Sequence, residues 1–100
     1  MIKFSIQSFS DVGSEDIFRG INSKRARKSL PVGLHKAARR KLHILDKARD
    51  LHDLQRIPGN RFEKLKGDKG FSIRINQQYR IIFNWADKGP EMVLISKHYE

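Results

Sequence analysis

The residues able to do chemistry gather in the last forty positions of the chain. They are Glu63, Lys66, Arg74, Arg80, Lys97, His98 and Tyr99. The set contains an acid/base pair (Glu63 and His98), four phosphate-binding cations and a phenol. Such a set can cut RNA without a metal. A base removes the proton of a ribose 2′-hydroxyl, which attacks the adjacent phosphorus. Arginine or lysine stabilises the charge that develops, and an acid protonates the departing 5′-oxygen. The same residue types also make up ordinary basic sheet faces, and residue type alone leaves both readings open.

The elements that must position these groups are short strands. Arg61–Lys66 reads as a first strand, Gly67-Asp68-Lys69-Gly70 as a turn, Phe71–Ile75 as a second strand and Tyr79–Trp85 as a third. Phe71, Ile73 and Ile75 alternate with Ser72 and Arg74. Tyr79, Ile81, Phe83 and Trp85 alternate with Arg80, Ile82 and Asn84. Period-two alternation marks a sheet with one buried face. If Asn76-Gln77-Gln78 is the hairpin loop, Arg74 lies across from Arg80 and Ile73 across from Ile81. A two-residue loop would set Arg74 against Ile81, so side-chain parity selects the longer one. Two adjacent arginines repel unless an anion lies between them, so this face is expected to hold a phosphate.

Before that unit the chain reads as one strand and then helices. Ile2, Phe4 and Ile6 alternate with polar residues in a strand over Ile2–Gln7. Ser10 is placed to cap a helix running to about Arg19, stopped by Gly20. Gly13 weakens that helix. Residues 21–30 form a basic connection carrying Lys24, Arg25, Arg27 and Lys28. Pro31 opens a long helix whose Leu34, Ala38, Leu42, Leu45 and Ala48 face the sheet. Asp46 and Asp50 are expected to pair with neighbouring bases on its surface. The helical pattern fades near Asp53, and Pro58-Gly59-Asn60 is a turn. Met92–Tyr99 is a last strand after a turn over Ala86–Pro90. The order β-α-α-β-β-β-β describes an α+β domain, a mostly antiparallel sheet packed on two helices from the N-terminal half, occupying residues 1–100.

Lys and Arg number 21 against 11 Asp and Glu, a net charge of +10, which favours an anionic partner. With no cysteine, disulfides and thiolate metal sites are excluded, and a reducing cytoplasm is compatible. No apolar run approaches a membrane span, and the opening MIKFSIQSFS does not read as a secretory signal. His35, His43 and His52 make no i, i+4 pair, so no metal site is expected from them. Walker, dinucleotide and nucleophile-elbow motifs are absent from the sequence.

Spread over nearly the whole chain, a series of short motifs resembles the HigB branch of the RelE/ParE toxin superfamily. They include Ala38-Arg39-Arg40-Lys41-Leu42, Leu45-Asp46-Lys47-Ala48, Pro58-Gly59-Asn60-Arg61, Ser72-Ile73-Arg74-Ile75-Asn76 and Tyr79-Arg80-Ile81, in that order. The resemblance implies the small RelE-like α+β fold and the toxin of a type II toxin–antitoxin pair. It implies a ribosome-dependent, metal-independent mRNA endoribonuclease with no cofactor. Its partners would be a HigA-like helix-turn-helix antitoxin, the ribosome and mRNA, with operator DNA reached only through the antitoxin complex and no membrane. Lys97-His98-Tyr99 stands where many relatives carry Asp-Tyr-His and is similar instead to the end of the YoeB branch. On that likeness Glu63 is the base, His98 the acid and Arg80 the phosphate stabiliser. Lys66, Arg74, Lys97 and Tyr99 are the substrate binders. Two other readings predict different behaviour: a ParE-like gyrase inhibitor, and a non-catalytic basic module binding RNA or the ribosome.

Overall fold

The computed structural model describes residues 5–97. Helix α1, Val12–Arg19, is capped by Asp11 and not by Ser10: the Asp11 carboxylate accepts the Ser14 N–H at 2.8 Å. Ser10 instead donates its hydroxyl to the Met92 carbonyl. The helix stops as expected at Gly20, which is left-handed at φ 79°. There Gly20 N–H reaches the Ile17 carbonyl and Ile21 N–H the Asp16 carbonyl, satisfying two end carbonyls.

The basic connection is largely helical. Lys24–Ser29 forms α2, capped by Ser23. The Ser23 hydroxyl accepts the Ala26 N–H and donates to the Asp16 carboxylate at 2.6 Å, fastening α2 to α1. Only Ala26 is buried, so an apolar stripe was missing from the sequence of this helix. Gly13, unfavourable to α1 by propensity, is the contact point: a Cβ there would lie 2.6 Å from the Arg25 carbonyl oxygen.

Pro31 precedes a short 3-10 turn, Val32–Leu34, and α3 then runs His35–Lys47. Ala38, Leu42 and Leu45 are buried along it, and Ala48 follows in extended backbone. The long helix therefore ends earlier than its pattern. A separate α4, Leu51–Gln55, starts at Asp50, whose side chain caps it. Among the described residues Asp46 pairs with no base; it accepts the Ile6 N–H at 2.9 Å.

Among the described residues, four strands form an antiparallel meander in chain order: β1 Glu63–Lys64, β2 Phe71–Arg74, β3 Tyr79–Ala86 and β4 Gly89–Lys97. The expected first strand, Arg61–Lys66, shrinks to two residues, and Lys66 opens a 3-10 turn. The strand expected at Ile2–Gln7 lies partly outside the described residues. Its described part is not strand, although Ser5 and Gln7 donate backbone N–H groups to the Lys88 and Pro90 carbonyls. A single parallel bridge follows at Phe9–Val93.

The β2–β3 register pairs Ile73 with Ile81 and Arg74 with Arg80, as the three-residue loop requires. Asn76 closes that loop by accepting the Gln78 and Tyr79 N–H groups, both at 2.8 Å. Between the pairs Ile82–Leu94 and Asn84–Glu91 the β3–β4 register slips, and Met92 takes a left-handed φ of 54°. Ile73, Ile81, Phe83, Val93 and Ile95 are buried with Ile17, Leu30, Leu42, Leu45 and Leu54 in one core. The opposite sheet face carries Glu63, Ser72, Arg74, Arg80 and Ser96 by register.

Candidate active site

Arg80 is the centre of that outer face. Its side chain is only 12% exposed, unusual for an arginine, because polar groups surround the guanidinium. Nε donates to the hydroxyl of the fully buried Ser72 at 2.8 Å. Nη2 donates to the Arg61 carbonyl at 2.6 Å and stands 3.8 Å from Glu63 Oε2. Burial draws the Arg80 pKa down; Glu63 offsets this, and the like charge of Arg74 adds to the lowering. Arginine stays cationic through such shifts, so the cost of holding it here is kept small by Glu63 and by any anion that docks.

A groove of about 730 Å³ opens over this group, lined by Arg61, Glu63, Arg74 and Arg80, with Phe62 and the loop residues Asn76, Gln77 and Gln78. Glu63 and Arg80 also line a smaller depression of about 210 Å³ that continues to Ser96 and Lys97 at the end of β4. The pair thus stands where two concavities meet. Three guanidinium groups and one carboxylate around a polar groove suit a phosphodiester, with anion-binding donors beside a proton acceptor.

Glu63, Arg74 and Arg80 therefore meet on one surface; Lys97 borders the smaller depression, although its pairing with Tyr79 puts it on the alternate side of β4 from Ser96. Lys66 does not line the groove; it is exposed on the turn after β1, which removes it from the strand on which it was expected. His98 and Tyr99 lie outside the described residues. Two contributors were missed in the sequence. Arg61 enters the groove because the Pro58–Asn60 turn ends with Arg61 itself left-handed, φ 45° and ψ 50°. Ser72 was read only as a polar alternation, yet it anchors Arg80. The Pro58-Gly59-Asn60 turn was the available signal for Arg61. None marked Ser72, since a buried serine and an exposed one look alike in sequence.

Two of the other histidines pack into the fold. His35 is buried, with Nε2 donating to the Leu30 carbonyl at 2.8 Å. His43 lies against Phe18, ring centres 4.9 Å apart. Among the described residues no three His, Asp or Glu side chains converge as metal ligands, and no helix is long and apolar enough to cross a membrane.

A four-stranded antiparallel sheet with helices on one face and a cationic groove with a carboxylate on the other defines, among the described residues, a small α+β protein. The HigB-like toxin family, RelE-like toxins of type II toxin–antitoxin systems, matches residues 7–98, and the chain belongs to that family. It is 53% identical over 60 residues to Toxin HigB-1 of Vibrio cholerae serotype O1, a match covering 58% of this chain and 63% of that protein. It is 32% identical over 71 residues to an uncharacterized protein of Haemophilus influenzae, covering 69% of this chain and 70% of the relative.

Proposed function

We propose that this protein is the toxin of a type II toxin–antitoxin pair, a ribosome-dependent endoribonuclease that cuts mRNA in the cytoplasm and is neutralised by a HigA-like helix-turn-helix antitoxin. The observation that carries the reading is the Glu63–Arg80 pair, held on the exposed sheet face in a groove shared with Arg61 and Arg74. Family membership supports the toxin role. The net charge of +10 supports a ribosomal, RNA-rich target.

In this reaction Glu63 takes the 2′-hydroxyl proton and the 2′-oxygen bonds to phosphorus. The bond to the 5′-oxygen breaks, and His98 protonates the leaving oxygen. A 2′,3′-cyclic phosphate and a 5′-hydroxyl result, so no water, metal or cofactor is consumed. Arg80 faces the charge that builds on the phosphoryl oxygens. Arg74 and Arg61 bind flanking phosphates, Lys97 and Tyr99 bind substrate, and Lys66 contacts substrate or ribosome from its exposed turn.

Primer extension on a message translated in a purified system tests this with wild type and His98→Ala. Cuts that require ribosomes and fade in the variant are expected. Cuts that persist in the variant would keep the nuclease and move the acid elsewhere. No cuts from folded, antitoxin-free protein would overturn the reading and turn attention to gyrase supercoiling.

A further inference from the structure

Arg80 is held by two neutral acceptors, and one of them is set from the far side of the molecule. Asn60 is fully buried, one residue before Arg61. Its Oδ1 accepts from Lys41 Nζ on α3 at 2.7 Å, and its Nδ2 donates to the Leu54 carbonyl at the end of α4 at 3.0 Å. Both ends of the amide are thus engaged and the side chain has one orientation. The backbone is tied as well: Asn60 N–H reaches the Ile57 carbonyl, and Arg61 N–H the Pro58 carbonyl. This turn delivers Arg61 in the left-handed region, rare for a side chain of its size, with its carbonyl oxygen 2.6 Å from Arg80 Nη2. Ser72 completes the hold at Nε.

We propose that Lys41, Asn60 and Ser72 are positioning residues for Arg80: the Lys41–Asn60 pair places the Arg61 carbonyl, and that carbonyl with the Ser72 hydroxyl fixes the plane of the guanidinium. The assignment of a catalytic role to this device rests on the nuclease reading above. Its physical logic is that both direct acceptors are uncharged. They fix orientation without cancelling the cation, and Nη1, without a hydrogen-bond partner among the described residues, is left for a phosphoryl oxygen. A second carboxylate in their place would hold Arg80 as firmly but quench the charge that the transition state needs. Lys41 does not line the groove; its connection to Arg80 runs through Asn60 and Arg61. Burial, and after it the adjacent Arg40, lower the Lys41 pKa, so the Asn60 oxygen is the contact that favours the ammonium here.

Single-turnover cleavage on programmed ribosomes, together with the arginine Nε–H NMR resonance of Arg80, tests the proposal. The resonance is assigned by its loss in Arg80→Lys. Ser72→Ala and Lys41→Met are expected to slow the cleavage step about 10- to 100-fold with little change in half-saturating ribosome concentration, the effect of a misplaced group. Both should also speed exchange of the Arg80 Nε–H with water. Ser72→Thr, which keeps the hydroxyl, should restore rate and resonance toward wild type, and Lys41→Arg, which keeps a donor, should do so in part. Circular dichroism identifies any variant that fails to fold, in which case the Thr and Arg variants decide by whether they retain the resonance. Wild-type rate and an unchanged Nε–H in Ser72→Ala and Lys41→Met would overturn the proposal, as would slowed cleavage with an unmoved resonance. If wild type does not cut at all, the nuclease reading falls, and with it the catalytic role of the hold. The resonance then still decides whether the hold exists.

Discussion

Arg80 does work that no other cation can copy, because it uses separate nitrogens for separate partners. Nε and Nη2 are committed to Ser72 and the Arg61 carbonyl. Lysine would keep the charge but has a single nitrogen and no planar fork. Arg80→Lys is therefore expected to lose about 100-fold or more in single-turnover cleavage, the scale of one oriented transition-state donor, while ribosome binding by filter retention stays within a few-fold. Glu63 makes a different kind of contribution. It is more than half exposed and stands 3.8 Å from Nη2, so as an ion pair it adds little to stability. In the base role proposed for it, however, its removal is expected to be costly. Glu63→Gln should melt within a degree or two of wild type yet cut about 10²–10⁴-fold more slowly. A Glu63→Gln variant that cuts at the wild-type rate would remove Glu63 from the base role.

At the scale of elements, the helical half is assembled through contacts that hydrophobic pattern does not record. A Cβ at position 13 would fall 2.0 Å from Ser29 Oγ and 2.6 Å from the Arg25 carbonyl, so α1 and α2 would have to separate. The serine can rotate away but the carbonyl belongs to the helix. Gly13→Ala improves helix propensity by about 1 kcal/mol, and overpacking costs about 1–3 kcal/mol, so the net expectation is destabilisation. A lower midpoint in thermal unfolding checks it, and an unchanged or raised midpoint would show that the helices part freely. The start of α4 has a pH dependence of its own. Asp53 accepts the Arg49 N–H at 2.9 Å and an Arg56 guanidinium N–H at 2.7 Å, and its pKa is lowered chiefly by the Arg49 N–H. The folded form thus holds the carboxylate more strongly than the unfolded chain does. Its contribution is complete above the unfolded pKa and is lost as pH falls through the folded one. Asp53→Asn should lower the urea midpoint at neutral pH, and the difference from wild type should shrink and vanish as pH drops below the carboxylate range.

For the whole molecule, charge and shape divide the labour. The sheet buries Ile73, Ile81 and Phe83 on one face, which leaves the other free to carry the polar groups of the groove. The excess of 21 basic over 11 acidic residues reaches well beyond that groove, onto α2 and the exposed side of α3. Binding to an RNA surface by such a molecule releases counterions, so log affinity should fall linearly with log salt. Ribosome binding measured over a salt series should give that line. The cleavage step at saturating ribosomes should stay nearly constant, because the groups around Arg80 are at contact distance and partly buried, where screening is weak. A flat binding series would argue that the charge serves solubility alone.

Alternating residues in Phe71–Ile75 and Tyr79–Trp85, with the loop parity, determined the β2–β3 register and so the Arg74–Arg80 pair. They could do so because a strand has a period of two, and a slip of one residue would turn its apolar side chains to water. The heptad-like spacing of Ala38, Leu42 and Leu45 similarly determined which side of α3 is buried. Local pattern could not show α2, whose single buried residue is Ala26 and whose place depends on Gly13 and Ser23 meeting α1. Nor could it show that the groove would gain Arg61 and lose Lys66, since each hangs on how a turn is seated: Asn60 is held by Lys41 and Leu54, and the turn after β1 is closed by the Leu65 N–H bond to the Gly70 carbonyl, with Gly70 set close against the Phe83 carbonyl. The chain's own order thus specified faces and registers, which follow from repeating short-range sterics. Only the tertiary structure decided how the guanidinium of Arg80 is aimed, because its acceptors come from residues brought together by packing across the sheet and the helix layer.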